Sequence, residues 1–534
     1  MSLKDFFKSE QKTIGKATFV IAIFTVFSRF LGLIRNRLLA STFGPTTELD
    51  IYFASFKVPD LIYSIVLAGG VLVSLLPLFS DYYKKNKEKA WELINSVMNI
   101  FLIALTILAI FLFIFTKPLV SFLLSSLDPS YIDLAVSLTR ILFLAVFFLG
   151  LSSIFSTITN YFNRFLIFSL APILYNLSII LGLVFLSPKI GIFGPAIGVL
   201  IGSFLHFFIQ FLCSLNYGYK YKPILSINKA TKDFFKLLFP RIISSSASQI
   251  NLLVITIISS SIAVGAITFF NFADEIRLLP VGLIGISFAT AVFPHLSKSI
   301  TEKNTKEFVN NFKKVFQNIL YLIIPISILT FLMKDLITSI ILKAGAFSSS
   351  AVQVTGLCLG VFALSLVFQC LEPTLLRAYF SLKDTKTPAI ISLVFLLINL
   401  VLSFLFVSIL KENIALNTFF LNFFNLKESE HVLLLGLVLA YNISLIIDFQ
   451  LLYFFLKKKI GSLSLKQNIL KLLISSLPMI LVAEILIKLF NNNLDHLFIN
   501  IIEFTLVTLL SFITYFGFTR MLKVETAINI KNLF

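Results

Sequence analysis

Charged residues are scarce in this sequence. Of its 534 residues, 13% are Asp, Glu, Lys or Arg, whereas 58% are apolar. Soluble domains are about one-quarter charged, so these charges cannot cover the surface of a soluble protein of this length. The scarcity excludes a soluble enzyme, and the apolar excess excludes a disordered chain. We therefore predict an integral membrane protein.

Cysteine and histidine are also rare, and their spacing fits no metal or redox motif. The three cysteines have no CxxC spacing and the four histidines include no HExxH pair, so we predict neither a disulfide framework nor a zinc site. No Walker loop, nucleophile elbow or carboxylate dyad is recognisable, and residues 1–16 do not resemble a cleavable signal peptide. We expect no enzyme activity and no cofactor; a transporter would instead use a coupling ion or the membrane potential.

The net charge of +18 comes from cations that lie mainly in short segments between apolar runs. Basic residues at such places set membrane topology and meet anionic lipid headgroups. The sequence has no basic domain that could follow a phosphate backbone. We therefore expect membrane lipids as partners, no nucleic acid, and a monomer.

Fourteen apolar runs are long enough to cross a membrane as helices, which needs about 20 mainly apolar residues. The predicted fold class is thus an all-α polytopic membrane protein with fourteen transmembrane helices. The runs are 15–42, 48–80, 91–116, 131–158, 165–187, 191–216, 235–262, 265–296, 312–333, 351–381, 386–410, 432–456, 467–490 and 496–521.

Lysines alternate between the loops. Loops after even-numbered runs are lysine-rich, as in 84–89, 220–232 and 457–466, whereas those after odd-numbered runs mostly carry one lysine or none. Because cytoplasmic loops carry the excess of Lys and Arg, both termini are predicted to be cytoplasmic. The stretch 411–431 is then the longest outer loop, and its FFLNFF core is expected to lie on the membrane surface.

A polar linker at 217–234 separates six runs from eight. Across it, Phe53-Ala54 before Pro59 resembles Phe272-Ala273 before Pro280. This faint repeat favours two six-helix lobes of parallel topology, as in repeat-built transporters. The predicted divisions are an N-terminal lobe 1–218, a C-terminal lobe 219–460 and two appended helices within 461–534.

Charges inside the runs are costly in lipid and usually face a bundle interior or a wet cavity. Arg29 and Arg35 lie six residues apart in the first run, about 9 Å in depth, and both could line a broad cavity. Arginine binds phosphate through two parallel hydrogen bonds, so we predict an electropositive pocket for an anionic headgroup. The candidate binding residues are Arg29, Arg35, Asp50, Lys57, Asp274 and Arg277.

Simpler interpretations stay open for several of these charges. Arg37 could extend to the membrane interface, and Asp50 could interact only with a helix N-terminus. Asp274 and Arg277, three residues apart, could neutralise each other. Other charges within the runs are isolated and could pair across helices; they are Glu372, Arg377, Asp448, Glu484 and Glu503.

Several segments carry a family pattern. Residues 27–35 read FSRFLGLIR and residues 50–59 read DIYFASFKVP; further segments are Asn163-Arg164-Phe165, Ala171-Pro172 with Asn176, 248–250, 272–298 and KDTKTP at 383–388. Together they resemble the MurJ (MviN) family of lipid II flippases in the MOP exporter superfamily. The resemblance covers roughly residues 15–460, and the last two runs match in hydropathy alone.

The resemblance implies that an undecaprenyl-pyrophosphate-linked peptidoglycan precursor is moved from the inner to the outer leaflet of a bacterial cytoplasmic membrane. It also implies alternating access of two lobes around a central cationic cavity, driven by membrane potential or an ion gradient. The arginines carried over are Arg29 and Arg35, with Asp50 as an acidic partner. In the family the appended helices form a groove for the lipid tail.

The sequence departs from the family pattern at four positions. Tyr63 stands where an arginine is usual, Ala68 where a glutamate is expected, and Glu275 where another arginine follows Asp274; Asn36 replaces an acidic residue. These losses leave two alternatives beside a lipid II flippase. One is a related exporter of another polyprenyl-linked glycan or amphiphile, and the other is a non-transporting scaffold for cell-wall assembly.

Overall fold

The computed structural model describes residues 14–64, 71–226, 228–461, 466–490 and 496–524. Regular structure in these ranges is helical, and they contain no strand. The predicted all-α class is therefore confirmed. The helix bounds are α1 Ile14–Phe43, α2 Thr47–Ser55, α3 Lys57–Tyr63, α4 Val71–Lys85, α5 Lys87–Leu123, α6 Ile132–Tyr161, α7 Phe165–Leu181, α8 Ser187–Ile190, α9 Phe193–Leu215, α10 Lys229–Ser260, α11 Ala266–Pro280, α12 Ser287–Thr301, α13 Thr305–Leu332, α14 Lys334–Leu342, α15 Ser349–Ser381, α16 Lys386–Glu412, α17 Ile414–Phe423, α18 Leu433–Ile460, α19 Lys466–Leu489 and α20 Leu497–Met521.

Eleven helical stretches in the described ranges are long and apolar enough to cross a membrane. Each of the fourteen predicted runs coincides with helix in the part of the chain that the structure describes. The first, second and seventh runs, which contain α1, α2 to α4 and α10, extend beyond the residues described in full and are not among the eleven. The chain is a multi-span membrane protein, and the count of fourteen stays a prediction.

Short polar residues begin several of these helices. A side chain just before the helix accepts a hydrogen bond from a backbone N–H of the first turn, which satisfies one of its unpaired donors. The residues that cap a helix in this way are Asn86 before α5, Asn228 before α10, Asn304 before α13, Ser348 before α15 and Asn413 before α17.

Two of the long helices are distorted by π-helical segments, at Gly182–Leu186 after α7 and Val281–Ile286 after α11. The second follows Pro280 directly. Proline removes a backbone hydrogen-bond donor and distorts a helix. The π-helical segment that follows Pro280 is a distortion at the place where the proline predicts one. Wide turns of this kind are frequent at functional sites.

By contacts the chain divides into two compact units, Met1–Gly265 and Ala266–Phe534. In the first unit α9 packs between α6 and α7, and α1 packs against α7. Glycines make the α7–α9 contact close: a Cβ on Gly198 would lie 2.7 Å from the Ser178 carbonyl oxygen, and one on Gly202 would lie 2.8 Å from that of Tyr175. Small residues four apart allow such close packing between membrane helices.

The polar linker is bound to the first unit. Tyr219 is buried, and its hydroxyl donates to Asn95 Oδ1 of α5 at 3.0 Å. Asn95 also bonds the backbone at 220 and 222, and Asn99 donates to the Lys222 carbonyl oxygen at 2.8 Å. These amides satisfy loop backbone groups that would otherwise be unpaired. The lobe boundaries at 218 and 460, predicted from the sequence repeat, stay predictions. By contacts, residues 219–265 belong to the first unit.

In the second unit α15 packs against α11, α13 and α18, and α16 packs against α18. The appended helices α19 and α20 pack on each other and on α13 and α14. The Tyr515 hydroxyl of α20 donates to the Tyr321 carbonyl oxygen of α13 at 3.1 Å. The short helix α17 has no buried residue, and Phe423 in it is 68% exposed. Its contact with the membrane surface stays a prediction.

An acidic residue joins two helix ends of the second unit. Asp384, between α15 and α16, accepts hydrogen bonds from the Thr387 backbone N–H at 3.0 Å and the Thr387 hydroxyl at 2.7 Å, and it forms an ion pair with Lys459 of α18. Burial opposes ionisation of Asp384, but the hydrogen bonds from Lys459 and Thr387 outweigh it and hold its pKa at about 2. The KDTKTP segment thus has a clear structural role.

Candidate functional site

The two arginines of α1 have different surroundings. Arg29 is half-buried and forms no hydrogen bond or ion pair with any residue in the described ranges. Its neighbours Phe27 and Phe30 are 50% and 58% exposed. Arg29 therefore lies on a part of α1 that the described residues cover only partly.

Arg35 is held by neutral amides. Its Nε and Nη2 donate to Asn36 Oδ1 at 3.1 and 2.9 Å, and its Nη1 donates to Asn176 Oδ1 of α7 at 3.3 Å. Amide oxygens orient a guanidinium without cancelling its charge. With an acidic residue at position 36, as is usual in the family, the same contact would be an ion pair.

The Asn176 side chain is itself fixed. Its Nδ2 donates to the Pro172 carbonyl oxygen at 3.1 Å and to Ser28 Oγ at 3.3 Å. With the nitrogen held on that side, the amide oxygen must point toward Arg35. Asn176 therefore links α1 and α7 and sets the direction of the guanidinium, a positioning role that groups supporting a binding site often have.

Asp50 is 2% exposed, and its Oδ2 accepts a hydrogen bond from the Gly265 backbone N–H at 2.7 Å. Gly265 has a φ of +85°, the left-handed conformation that favours glycine. It directly precedes α11, so Asp50 satisfies a backbone donor in the connection that leads into that helix. Asp50 also lies in the first turn of its own helix α2, which is the position that the simpler interpretation gives it; its role in binding stays a prediction.

We expect Asp50→Ala to lower the apparent melting temperature of the purified protein. It leaves the buried Gly265 N–H without its acceptor, which costs about 1–3 kcal/mol. Asp50→Asn is the matched control, because it keeps an acceptor oxygen and removes the charge. If Asp50 acts only as an acceptor, the Asn variant melts near the wild type; equal losses in both variants would show that the charge is required.

Lys57 is half-buried on α3 and interacts electrostatically with Asp60, one turn further on the same helix. The field of this lysine is therefore reduced by a neighbouring carboxylate. Tyr63 packs against the apolar core of the first unit, so the position of the missing arginine is used for packing. Ala68 lies outside the described residues.

Arg277 in the second unit is enclosed. It is 5% exposed and forms an ion pair with Asp274, to which its Nε donates at 2.7 Å. It also donates to Gln369 of α15, and its guanidinium carbon lies 4.5 Å from the ring centroids of both Phe362 and Tyr441. The pairing with Asp274 left open by the sequence is confirmed. Substrate binding by these two residues stays a prediction, and in this conformation they contact each other.

Glu275 does not exchange roles with Arg277. The helix α11 is regular from Ala266 to Pro280, so residues two positions apart point in different directions. Glu275 is half-buried and places a carboxyl group where the resemblance implies an arginine. This is a real chemical difference at that position.

An open cavity of about 500 Å³ lies beside α12 and α13 in the second unit. Polar and apolar side chains both line this cavity. Among the polar ones, the Lys314 ammonium and the His295 imidazole are exposed, and the Asn318 amide is 6% exposed. Cavities with a largely apolar wall and a few polar groups are typical ligand sites. The remaining lining residues are Leu283, Ser287, Phe288, Ala291, Val292, Asn311 and Val315.

Three polar residues that organise these charges had no role in the sequence interpretation. Asn176 is only one residue of the family pattern, and no sequence motif marks Gln369 or Tyr441. The available signal was an amide or phenol within an apolar run, since such groups need a partner in lipid. Their partners lie on other helices, so the sequence could not identify them.

Comparison with known proteins tests the family directly. A family model described as lipid II flippase MurJ matches residues 39–508 of this chain. The match includes α19 and part of α20, where hydropathy was the only resemblance recognised from the sequence. It begins after Arg29 and Arg35.

Similar proteins cover nearly the whole chain. A probable lipid II flippase MurJ from Borreliella burgdorferi is 28% identical over 467 residues, which is 87% of this chain and 88% of that protein. A probable lipid II flippase MurJ from Thermotoga maritima is 26% identical over 514 residues, 96% of this chain and 97% of that protein.

Solved structures agree. A lipid II flippase MurJ in an inward closed conformation is 30% identical, with a TM-score of 0.76 over 94% of this chain and 99% of that one. A MATE family transporter of the MOP superfamily, 16% identical, has a TM-score of 0.63 over 82% of this chain and 96% of that one, and shows the shared fold alone. Because the family model covers most of its length, this chain belongs to the MurJ family of lipid II flippases.

Proposed function

We propose that this chain moves lipid II from the inner to the outer leaflet of the bacterial cytoplasmic membrane. The family match over residues 39–508 carries the proposal. Translocation proceeds by alternating access, in which the headgroup site opens to one side of the membrane at a time. The lysine-rich loops favour cytoplasmic termini.

In this proposal Arg29 and Arg35 bind the pyrophosphate. A guanidinium presents two parallel donors to phosphate oxygens, which makes arginine suited to this ligand. Asn36 and Asn176 support the role of Arg35 because they hold it in one orientation before the headgroup arrives. Preorganisation of this kind lowers the entropic cost of binding.

The departure at Tyr63 makes the first unit less positive than the family pattern. The two arginines of α1 therefore have to supply more of the attraction for the pyrophosphate. The family match favours lipid II over another polyprenyl-linked glycan, and a scaffold would have no reason to keep Arg29 within an apolar helix.

The test is rescue of a bacterium whose own lipid II flippase is depleted. We expect this chain to restore growth, and the purified protein to bind lipid II with an affinity that falls as salt is raised, because the contact is ionic. Failure of both measurements, with the protein present in the membrane at a normal level, would contradict the proposal. Binding without rescue would favour a scaffold.

A further inference from the structure

A hydrogen-bonded chain of polar residues crosses three helices of the second unit. Asn442 of α18 accepts from Ser365 Oγ of α15 at 2.6 Å, and Gln369 Nε2 donates to the same hydroxyl at 2.8 Å. Gln369 in turn accepts from Arg277 of α11, which is paired with Asp274. Each of these groups has a partner, so this layer is complete.

Two carboxylates lie beyond this layer: Glu372 follows Gln369 by three residues on α15, and Asp448 follows Asn442 by six residues on α18. The contacts of Ser365 with Asn442 and of the Phe368 ring with the Phe449 ring, at 5.2 Å, show that the two helices run side by side in the same direction. This register brings Glu372 and Asp448 to a similar level, and Asp448 acts on Glu372 electrostatically.

Asp448 stands out because it is 6% exposed and has no hydrogen bond or ion pair with any residue in the described ranges. Glu372 is half-buried and likewise has no hydrogen bond within those ranges, although it lies in the field of Arg277. A buried carboxylate without partners is costly in its charged form and binds a proton instead.

The charges around the pair do not cancel two negative groups. Arg277 is matched by Asp274, and the guanidinium carbon of Arg377, five residues after Glu372 on α15, lies 5.4 Å from the Phe293 ring centroid. The packed helix α16 has no ionisable residue between Lys386 and Lys411, and between Lys314 and Lys334 the sequence of α13 has only Tyr321. On α12, His295 is exposed. Two ionised carboxylates would therefore leave uncompensated charge in the interior.

We propose that Glu372 and Asp448 form a proton-binding site in the second unit and that the pair holds one proton. The proton comes from water and forms an O–H bond on one carboxylate, which leaves a single negative charge on the pair. Glu372, the more exposed of the two, is the entry point. On release the proton returns to water through the same residue, and Glu372 then competes with Asp274 for Arg277.

A proton fits this site better than a metal cation. Sodium needs several oxygen ligands, and the nearby oxygens of Ser365, Gln369 and Asn442 are already engaged in hydrogen bonds. No group of three or more acidic, histidine or cysteine side chains in the described ranges could hold a metal ion. Use of the proton to drive translocation rests on the proposed function, whereas the site itself does not.

The test is infrared spectroscopy of the full-length purified protein at neutral pH, without substrate. We expect the C=O band of a protonated carboxyl that shifts in D₂O and is lost in Glu372→Gln/Asp448→Asn. Both changes preserve shape and remove charge, so the variant is expected to fold. Glu302→Gln, at an exposed pair with Lys298, is the matched control and keeps the band.

The single variants test the pairing. If the carboxylates share a proton, Glu372→Gln and Asp448→Asn each titrate at a pH different from the wild type, because their mutual repulsion is gone. These results would support the proposal. The proposal is overturned if the wild type lacks the band or if the double variant keeps it. It is also overturned if the single variants titrate like the wild type, or if the band disappears when sodium replaces potassium. Since no substrate is present, failure here is distinguishable from failure of lipid II transport.

Discussion

Replacement of either α1 arginine, Arg29→Ala or Arg35→Ala, is expected to abolish rescue of a flippase-depleted bacterium while the protein stays at its normal level in the membrane. In the proposed mechanism each change removes a forked contact to the pyrophosphate. The loss of one partner from a desolvated, hydrogen-bonded charge pair costs about 2–5 kcal/mol, which corresponds to at least about 30-fold weaker binding. Growth rescue and lipid II affinity are measured for each variant.

Two controls separate charge from geometry. Arg140→Ala removes the same charge from α6, where Arg140 contacts the Phe113 carbonyl oxygen and ring, and is expected to keep full rescue. Arg35→Lys keeps the charge but lacks the planar fork, so partial rescue is expected. Full rescue by both alanine variants would remove the headgroup role of α1 and with it the proposed mechanism.

Arg277→Met is expected to destabilise the protein strongly. It leaves the Asp274 carboxylate, which is 14% exposed, without its partner and removes the cation between Phe362 and Tyr441. Breaking a buried ion pair by removing one partner costs about 3–5 kcal/mol. The measurement is the fraction of protein that remains monodisperse after heating in detergent.

The double variant Arg277→Met/Asp274→Asn should recover part of that loss, because no isolated charge is left in the interior. Lys117→Met is the matched control: it breaks the pair with Asp133, whose side chains are 63% and 82% exposed, and should have little effect. If Arg277→Met is as stable as the wild type and loses lipid II binding, Arg277 is a substrate-binding residue and its role in packing is secondary.

The membrane class and the helix positions were predictable because an apolar run is sufficient to specify a helix in lipid. All backbone groups are then satisfied within one segment, so no distant contact is needed. The same reasoning does not locate an interruption within a run, such as the single residue Phe56 between α2 and α3. Apolar composition indicates that a segment is buried in lipid, but it does not show where its helix is interrupted.

The candidate site was only partly predictable. Arg29 and Arg35 stood out because charges are rare in apolar runs, and the i,i+3 spacing of Asp274 and Arg277 allowed their pairing to be foreseen. The partner of Asp50 at Gly265, that of Arg35 at Asn176 and the neighbour of Glu372 at Asp448 lie far away in the sequence. No local pattern connects such residues.

By itself the sequence determined that this chain is a helical membrane protein, and its motifs indicated the family, because hydropathy and short segments act locally. Only the tertiary structure decided which charges are already neutralised. Arg277 is enclosed by a carboxylate and two aromatic rings, whereas Arg35 is oriented by two amides, so two arginines of similar appearance in the sequence have different surroundings. The physical reason is that the electrostatics of a buried group depend on what packs around it, and that is fixed only when the helices assemble.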